Sequence, residues 1–231
     1  MATARALALV LLLSALRSAD AARPMATDDT ATAPAGECQI EAWSTREDSV
    51  RSITFAPACG LTDSLELGTA ASRVQGGEGS TVDGAALGLK WVPAAAAWDT
   101  AVGEVRMGLL GGVTWARTEL GGWHSESAVL AGLGSLQFAP AWTLYVNVFA
   151  ARNLDLSRWT SGWRSALAWQ PDERLLLFVE TLRASDSSNV RNAGWRLWLL
   201  PEILGLDVVI TRSRSGTAFG LGFGWYGIFG P

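Results

Sequence analysis

The sequence predicts an all-β protein: a transmembrane, antiparallel, up-and-down β-barrel of about twelve strands, of the kind found in Gram-negative outer membranes. Three observations carry this expectation. Large apolar residues alternate with small or polar ones. Prolines and polar stretches punctuate the apolar runs. Charges that fall inside the runs collect on one face.

The chain opens on an export signal. Arg5 gives a positive start, Ala6 to Leu16 form an apolar run too short to span a bilayer, and Ala19-Asp20-Ala21 fits a small-x-small cleavage site. Residues 1–21 are therefore expected to be a signal peptide cleaved after Ala21. Residues 22–36, rich in Ala, Thr, Asp and Pro, are expected to be a disordered periplasmic linker, and 37–231 the barrel.

Composition narrows the class. The net charge is −4, and loss of Arg5, Arg17 and Asp20 leaves −5, an acidic balance that argues against a nucleic-acid partner. There are 12 Trp and 25 Gly but one His, and charged residues make up 17%, against about 25% in an ordinary domain. No long apolar helix compensates. The uncharged window Ala128–Ala151 would place Pro140, Gly132, Gly134, Gln137 and Asn147 inside a helix in lipid, a costly arrangement; two strands joined at Ala139-Pro140-Ala141 avoid it.

Period-2 alternation is plainest at the C-terminus. Phe219, Leu221, Phe223 and Trp225 alternate with Gly220, Gly222 and Gly224, and Phe229 keeps the parity. A strand gathers those aromatics on one face, whereas a helix scatters them. A soluble sandwich would turn a polar face outward rather than glycine. Pro57, Pro93, Pro140, Pro171 and Pro201 each follow an apolar run and are expected to open short periplasmic turns, since proline cannot donate to a ladder. Between them lie polar stretches, 73–81, 116–126, 152–162, 184–192 and 212–216, expected to be longer outer loops. Strands are placed at 38–46, 51–59, 64–73, 82–92, 101–115, 127–138, 142–152, 163–170, 174–183, 193–200, 205–212 and 217–229. An even count puts both termini in the periplasm.

A charge facing lipid at mid-depth costs about 2–4 kcal/mol, so charges inside strands should face the lumen. The expected lumen-lining set is Glu41, Glu66, Lys90, Glu104, Arg106, Asn147, Arg164, Glu180, Arg196 and Asp207. The opposite parity is apolar in strand after strand: Leu87, Leu89 and Trp91; Val105, Met107 and Leu109; Leu175, Leu177 and Val179; Leu206, Val208 and Ile210. Strand six is ambiguous, because Leu133 and Leu136 fall on opposite faces. Trp91, Trp142 and Trp169 should mark the periplasmic girdle, and Trp115, Trp163 and Trp195 the outer one.

Cys38 and Cys59 are the only cysteines in an exported chain, which favours a disulfide. A hairpin centred between Asp48 and Ser49 sets Cys38 opposite Cys59, Glu41 opposite Ala56, Ala42 opposite Phe55 and Trp43 opposite Thr54. That register also separates polar from apolar residues.

Little in the sequence carries chemistry. His124-Ser125-Glu126 unites three catalytic residue types, but neighbours along an extended chain cannot form a relay. No catalytic residue, metal site or cofactor is expected. The lumen charges, five acidic against four basic, allow two readings: an aqueous path, or mutual pairing that closes it. Inward glycines such as Gly84, Gly88, Gly108, Gly220, Gly222 and Gly224 leave room for a path.

The stretch Gly60-Leu61-Thr62-Asp63-Ser64-Leu65-Glu66-Leu67-Gly68 resembles the tight-turn segment of a family of outer-membrane barrels, the MetA-pathway of phenol degradation family. Gly194 to Trp198, with Pro201, Leu206 and Asp207, is similar to its penultimate hairpin. The resemblance implies a porin-like barrel that helps transport small, sometimes aromatic, compounds, and it carries over no catalytic residues. The expected function is passive transport of small solutes, hydrophobic or aromatic ones among them. The alternative is a closed structural or interaction barrel. Expected partners are outer-membrane lipid, periplasmic chaperones, the barrel-assembly machinery and a small-molecule solute.

Overall fold

The computed structural model describes residues 25–76, 80–118 and 121–230; the signal peptide expected at 1–21 lies outside them. Thirteen strands follow one another: β1 (Cys38–Glu47), β2 (Val50–Thr62), β3 (Leu65–Gln75), β4 (Thr81–Trp91), β5 (Ala97–Thr100), β6 (Gly103–Thr118), β7 (His124–Ala139), β8 (Trp142–Asn153), β9 (Arg158–Trp169), β10 (Leu175–Ala184), β11 (Val190–Leu200), β12 (Leu204–Arg212) and β13 (Thr217–Ile228). Every pairing among them is antiparallel. β13 returns to pair with β1, and β4 pairs with β6, so twelve strands close a barrel.

The thirteenth strand, β5, departs from the expected count. After β4 the chain makes a 3-10 turn at Ala94–Ala96, and four residues re-enter the wall to pair with Gly103–Arg106 of β6. They prolong the lane that β4 leaves. Four residues are too few to show a period, so the sequence carries no sign of them.

The first hairpin has the expected register, from Cys38 opposite Cys59 through Trp43 opposite Thr54 to Glu47 opposite Val50. The disulfide between Cys38 and Cys59 is formed, with Cα atoms 4.0 Å apart. Pro57 differs from expectation. It lies within β2 rather than at a turn, on the same face as Phe55. The ladder to β3 skips from Phe55 to Ala58 around it, as a residue with no N–H requires.

The polar stretches expected as long loops are about half strand. β6 runs on to Thr118, β7 starts at His124, β9 starts at Arg158 and β11 at Val190, so the connections at that end are nearly as short as the proline turns. Above the apolar band a strand has no lipid to face. It can remain paired without alternating, which hides it from a periodicity argument. The ambiguous sixth strand of the sequence, β7 here, is resolved: Leu133 is buried inside and Leu136 faces out, opposite Val105 and Leu144. The half of the outer face nearest the termini is a continuous apolar surface, with Trp142 stacked on Trp169 at 5.7 Å. Trp195, expected at the outer rim, sits midway along β11.

Residues 25–36 are the largest departure. They are not a linker outside the barrel but a strap through its interior, with Met25, Ala26, Thr27, Asp28, Thr30 and Ala33 all buried. Composition signals disorder when a segment cannot bury enough surface by itself. Here the wall supplies the burial.

Candidate functional site: the barrel interior

The interior is built by one parity of each strand. Glu41 and Trp43 of β1, Glu66 of β3, Lys90 of β4, Asn147 of β8, Glu180 of β10, Arg196 of β11 and Asp207 of β12 are buried there. They form two groups with different partners.

The first group lies within the wall. The Arg196 guanidinium donates two parallel bonds to Asp207, at 2.7 and 2.8 Å, and a third to the Tyr226 hydroxyl at 2.5 Å. Tyr226 donates in turn to Glu41 at 2.5 Å, and Glu41 lies 3.6 Å from Arg196. A fork-to-fork pair fixes distance and plane together. The Trp198 and Tyr226 rings flank the guanidinium at 5.0 and 5.2 Å. Tyr226 fills the space over Gly224, and Trp43 closes on Gly222, so these inward glycines make room for side chains rather than for an open path.

The second group holds the strap. At the rim the Gly36 N–H donates to the Gly60 carbonyl and the Gly60 N–H to that of Glu37, both at 2.9 Å. The strap backbone passes directly over Gly60, where a Cβ would stand 2.2 Å from the carbonyl oxygens of Ala33 and Pro34. Glu66 accepts from the Ala33 N–H at 2.8 Å and from Gln39 at 3.3 Å. Farther in, Lys90 reaches Asp28 at 3.3 Å and Asp29 at 3.2 Å, and Thr30 meets Ser135. Asn147 binds the Asp28 backbone both ways, accepting from its N–H at 2.7 Å and donating to its carbonyl at 3.0 Å. On the far wall Glu180 accepts from the N–H groups of Ala26 and Thr27, at 3.0 and 2.7 Å, and from Asn192 at 2.8 Å. Arg164 donates to the Ala26 carbonyl at 2.6 Å, and Met25 packs with Ala166, Ala168, Phe178 and Val209.

The strap thus crosses the barrel from the β3–β4 wall to the β8–β10 wall. Its own side chains matter less than its main chain, which the wall's carboxylates and amide recognise. Three N–H donors, two of them from the strap backbone, satisfy the Glu180 carboxylate. Burial pushes the Asp28 carboxyl up from its ordinary value, and Lys90 beside it pulls the other way.

Glu104 and Arg106 are different again. They pair with each other at 2.5 Å near the termini end of β6, on the interior parity, with much of each side chain exposed. His124 meets Asp155 at 3.3 Å and the Gly122 carbonyl at 3.4 Å, while Glu126 is turned inward to Thr114, so His124 and Glu126 have different partners. Among the described residues no cluster of His, Cys, Asp or Glu could hold a metal ion.

A family model described as "Uncharacterised conserved protein UCP029691" matches residues 8–220. The chain belongs to that family. That match does not confirm the resemblance of the turn motifs to the MetA-pathway of phenol degradation family. No curated protein matches the chain. Solved structures do, and they share this family member's fold. The KdgM porin is 8% identical, with a TM-score of 0.62 over 81% of this chain and 98% of the porin. The NanC porin is 5% identical, at 0.58 over 81% and 98%. The COG4313 outer membrane channel from Pseudomonas putida F1 is 12% identical, at 0.55 over 86% and 98%.

Two sets of interior residues escape a reading of the sequence. Tyr226 could have been found, as the bulky exception on the glycine face of β13. The strap residues Ala26, Thr27 and Asp28 carry no local mark, because their partners stand more than 100 residues away.

Proposed function

We propose that this protein is an outer-membrane barrel for the passive passage of small solutes, throttled by its own N-terminal strap. One observation carries the reading: the centre of the barrel is filled by a segment held mainly by hydrogen bonds and ion pairs, not by interlocked side chains of the wall. A wall closed for strength alone would interlock its own side chains. This wall instead presents Glu66, Lys90, Asn147, Arg164 and Glu180, groups that water would hydrate once the strap moved aside. The likeness to the porins and the channel supports a barrel of this class. The KdgM porin is also known in complex with disordered oligogalacturonate. The polar interior favours polar cargo over the aromatic cargo that the turn motifs imply.

The closed-barrel reading draws on the Arg196–Asp207–Glu41–Tyr226 network, which locks β1, β11, β12 and β13 together. Planar-bilayer recording separates the two. The mature protein should pass small currents, and a variant lacking residues 22–33 should pass currents several-fold larger. If neither form conducts and neither admits a sugar to liposomes, the barrel is closed and transport is wrong.

A further inference from the structure

We infer that the lipid-facing surface carries a binding belt for phosphate-bearing lipid headgroups, at the end of the barrel opposite the termini. The belt rests only on the barrel spanning a membrane, not on transport.

The observation is an asymmetry of charge. On the outward parity, the half of the wall nearest the termini holds no charged strand residue: Leu67, Trp91, Met107, Trp142, Trp169, Leu197, Leu206 and Phe223 are exposed apolar groups. At the other end the outward charges on the described strand residues are arginines, with one exception. Arg183 is the last residue but one of β10, Arg191 the second of β11 and Arg212 the last of β12. Arg191 stands opposite Arg212 in one ladder and opposite Thr181 in the next, two residues from Arg183. Across β13, Arg46 of β1 faces Arg51 of β2. The exception is Asp83, already held between Arg73 at 2.7 Å and Arg117.

Their depth suits headgroups. Eight residues separate Arg191 from Leu199, Arg183 from Leu175 and Arg212 from Leu204. At roughly 3.3 Å per residue and a tilt near 40°, that is about 20 Å of height, close to the far edge of an apolar band about 25 Å tall. Arginine there costs little, whereas at mid-depth it would cost far more.

The pairing makes the inference specific. Like charges directly opposite on one face of an antiparallel pair destabilise it. Arg191–Arg212 and Arg46–Arg51 are such pairs, and all four side chains are exposed. Among the described residues none of Arg183, Arg191 and Arg212 is in an ion pair; Arg212 donates only to Thr217, at 2.8 Å. The three arginines thus stand on neighbouring ladder positions of the lipid face, and no carboxylate of the described residues is paired with them. A phosphate monoester on a membrane lipid supplies two or three acceptor oxygens and two negative charges at that height, and arginine forks match it in geometry. We assign the Arg183–Arg191–Arg212 patch as the principal site and Arg46–Arg51 as a second.

The test uses the full mature protein in a neutral detergent, with retained lipid counted by native mass spectrometry. The probes are diphosphoryl lipid A, the same glycolipid with both phosphates removed, phosphatidylcholine, and inorganic phosphate as competitor. Wild type should retain diphosphoryl lipid A over the dephosphorylated form by about tenfold or more, and retention should fall as salt rises. The R183Q/R191Q/R212Q variant should lose most of that preference, and the R183K/R191K/R212K variant should keep part of it. Folding of each variant is read from heat-modifiable gel migration. Equal retention of the two glycolipids by wild type would overturn the proposal without reference to any variant. So would full displacement by millimolar inorganic phosphate, which would mark a site for the free ion. An unchanged preference in the folded Gln variant would overturn the assignment to these residues.

Discussion

The wall and the strap solve the same problem by opposite means. Both must satisfy backbone N–H and C=O groups away from bulk water. The wall does so with itself, strand against strand around a closed circuit. The strap has no strand beside it through most of its course. It borrows side chains instead: Glu66, Asn147, Arg164 and Glu180 stand in for the neighbouring backbone. A ladder is cooperative and cannot be loosened at one rung. A set of separate side-chain contacts can be released one at a time, and so the strap can be removed while the barrel stays whole.

Single substitutions should separate the two regions. Arg196→Met leaves Asp207 and Glu41 buried without their cation, and breaking a buried pair this way costs about 3–5 kcal/mol. Chemical denaturation should show the whole barrel weakened, with amide exchange at Ala26 and Thr27 altered no more than at wall positions. Replacing both Cys38 and Cys59 by serine should cost up to about 3 kcal/mol on the chain-entropy account, again read as global unfolding. Glu180→Ala reverses the pattern. It removes the acceptor for two strap N–H groups, worth about 2–3 kcal/mol of docking. Exchange at Ala26 and Thr27 should rise by tens-fold while the denaturation midpoint scarcely moves. If the midpoint falls as far as in Arg196→Met, strap and wall are one cooperative unit and the distinction fails. Gly60→Ala should act at the rim, lifting Ala33 and Pro34 off the wall at a cost of about 1–3 kcal/mol; faster exchange at Gly36 would register it. Thr45→Val should be the mildest, removing the Thr45–Ser52 hydroxyl contact for about 1 kcal/mol.

What can be read from the sequence follows the same division. The wall is legible because lipid on one side and packing on the other impose period 2, and a one-residue slip would turn Glu41 or Lys90 into lipid. The Cys38–Cys59 register is legible because two constraints meet in one hairpin. Strand length at the end opposite the termini is not, since Arg158–Gly162 and Val190–Asn192 pair there without an apolar alternation. The strap is illegible for a stronger reason. Its residues are small and polar, and what orders them is a set of acceptors on β3, β8 and β10. The interior faces of those strands can be read one at a time, but not what lies between them. The arginine belt is present in the sequence throughout. It becomes visible only when the strands are aligned by height, so that scattered arginines fall on one level.

The strap's reach also fixes the order of assembly. Ala33 needs Glu66, 33 residues on, while Asp28 needs Asn147 and Thr27 needs Glu180, at separations of 119 and 153. The strap residues near the N-terminus are thus among the last to find their place. Contacts this distant in sequence pay their loop-closure entropy late. They can form only after β3, β8 and β10 already stand on opposite sides of one circuit. A docked strap therefore certifies a finished barrel, and a half-built sheet would leave the N-terminus hanging free, open to any periplasmic protease that samples unfinished chains.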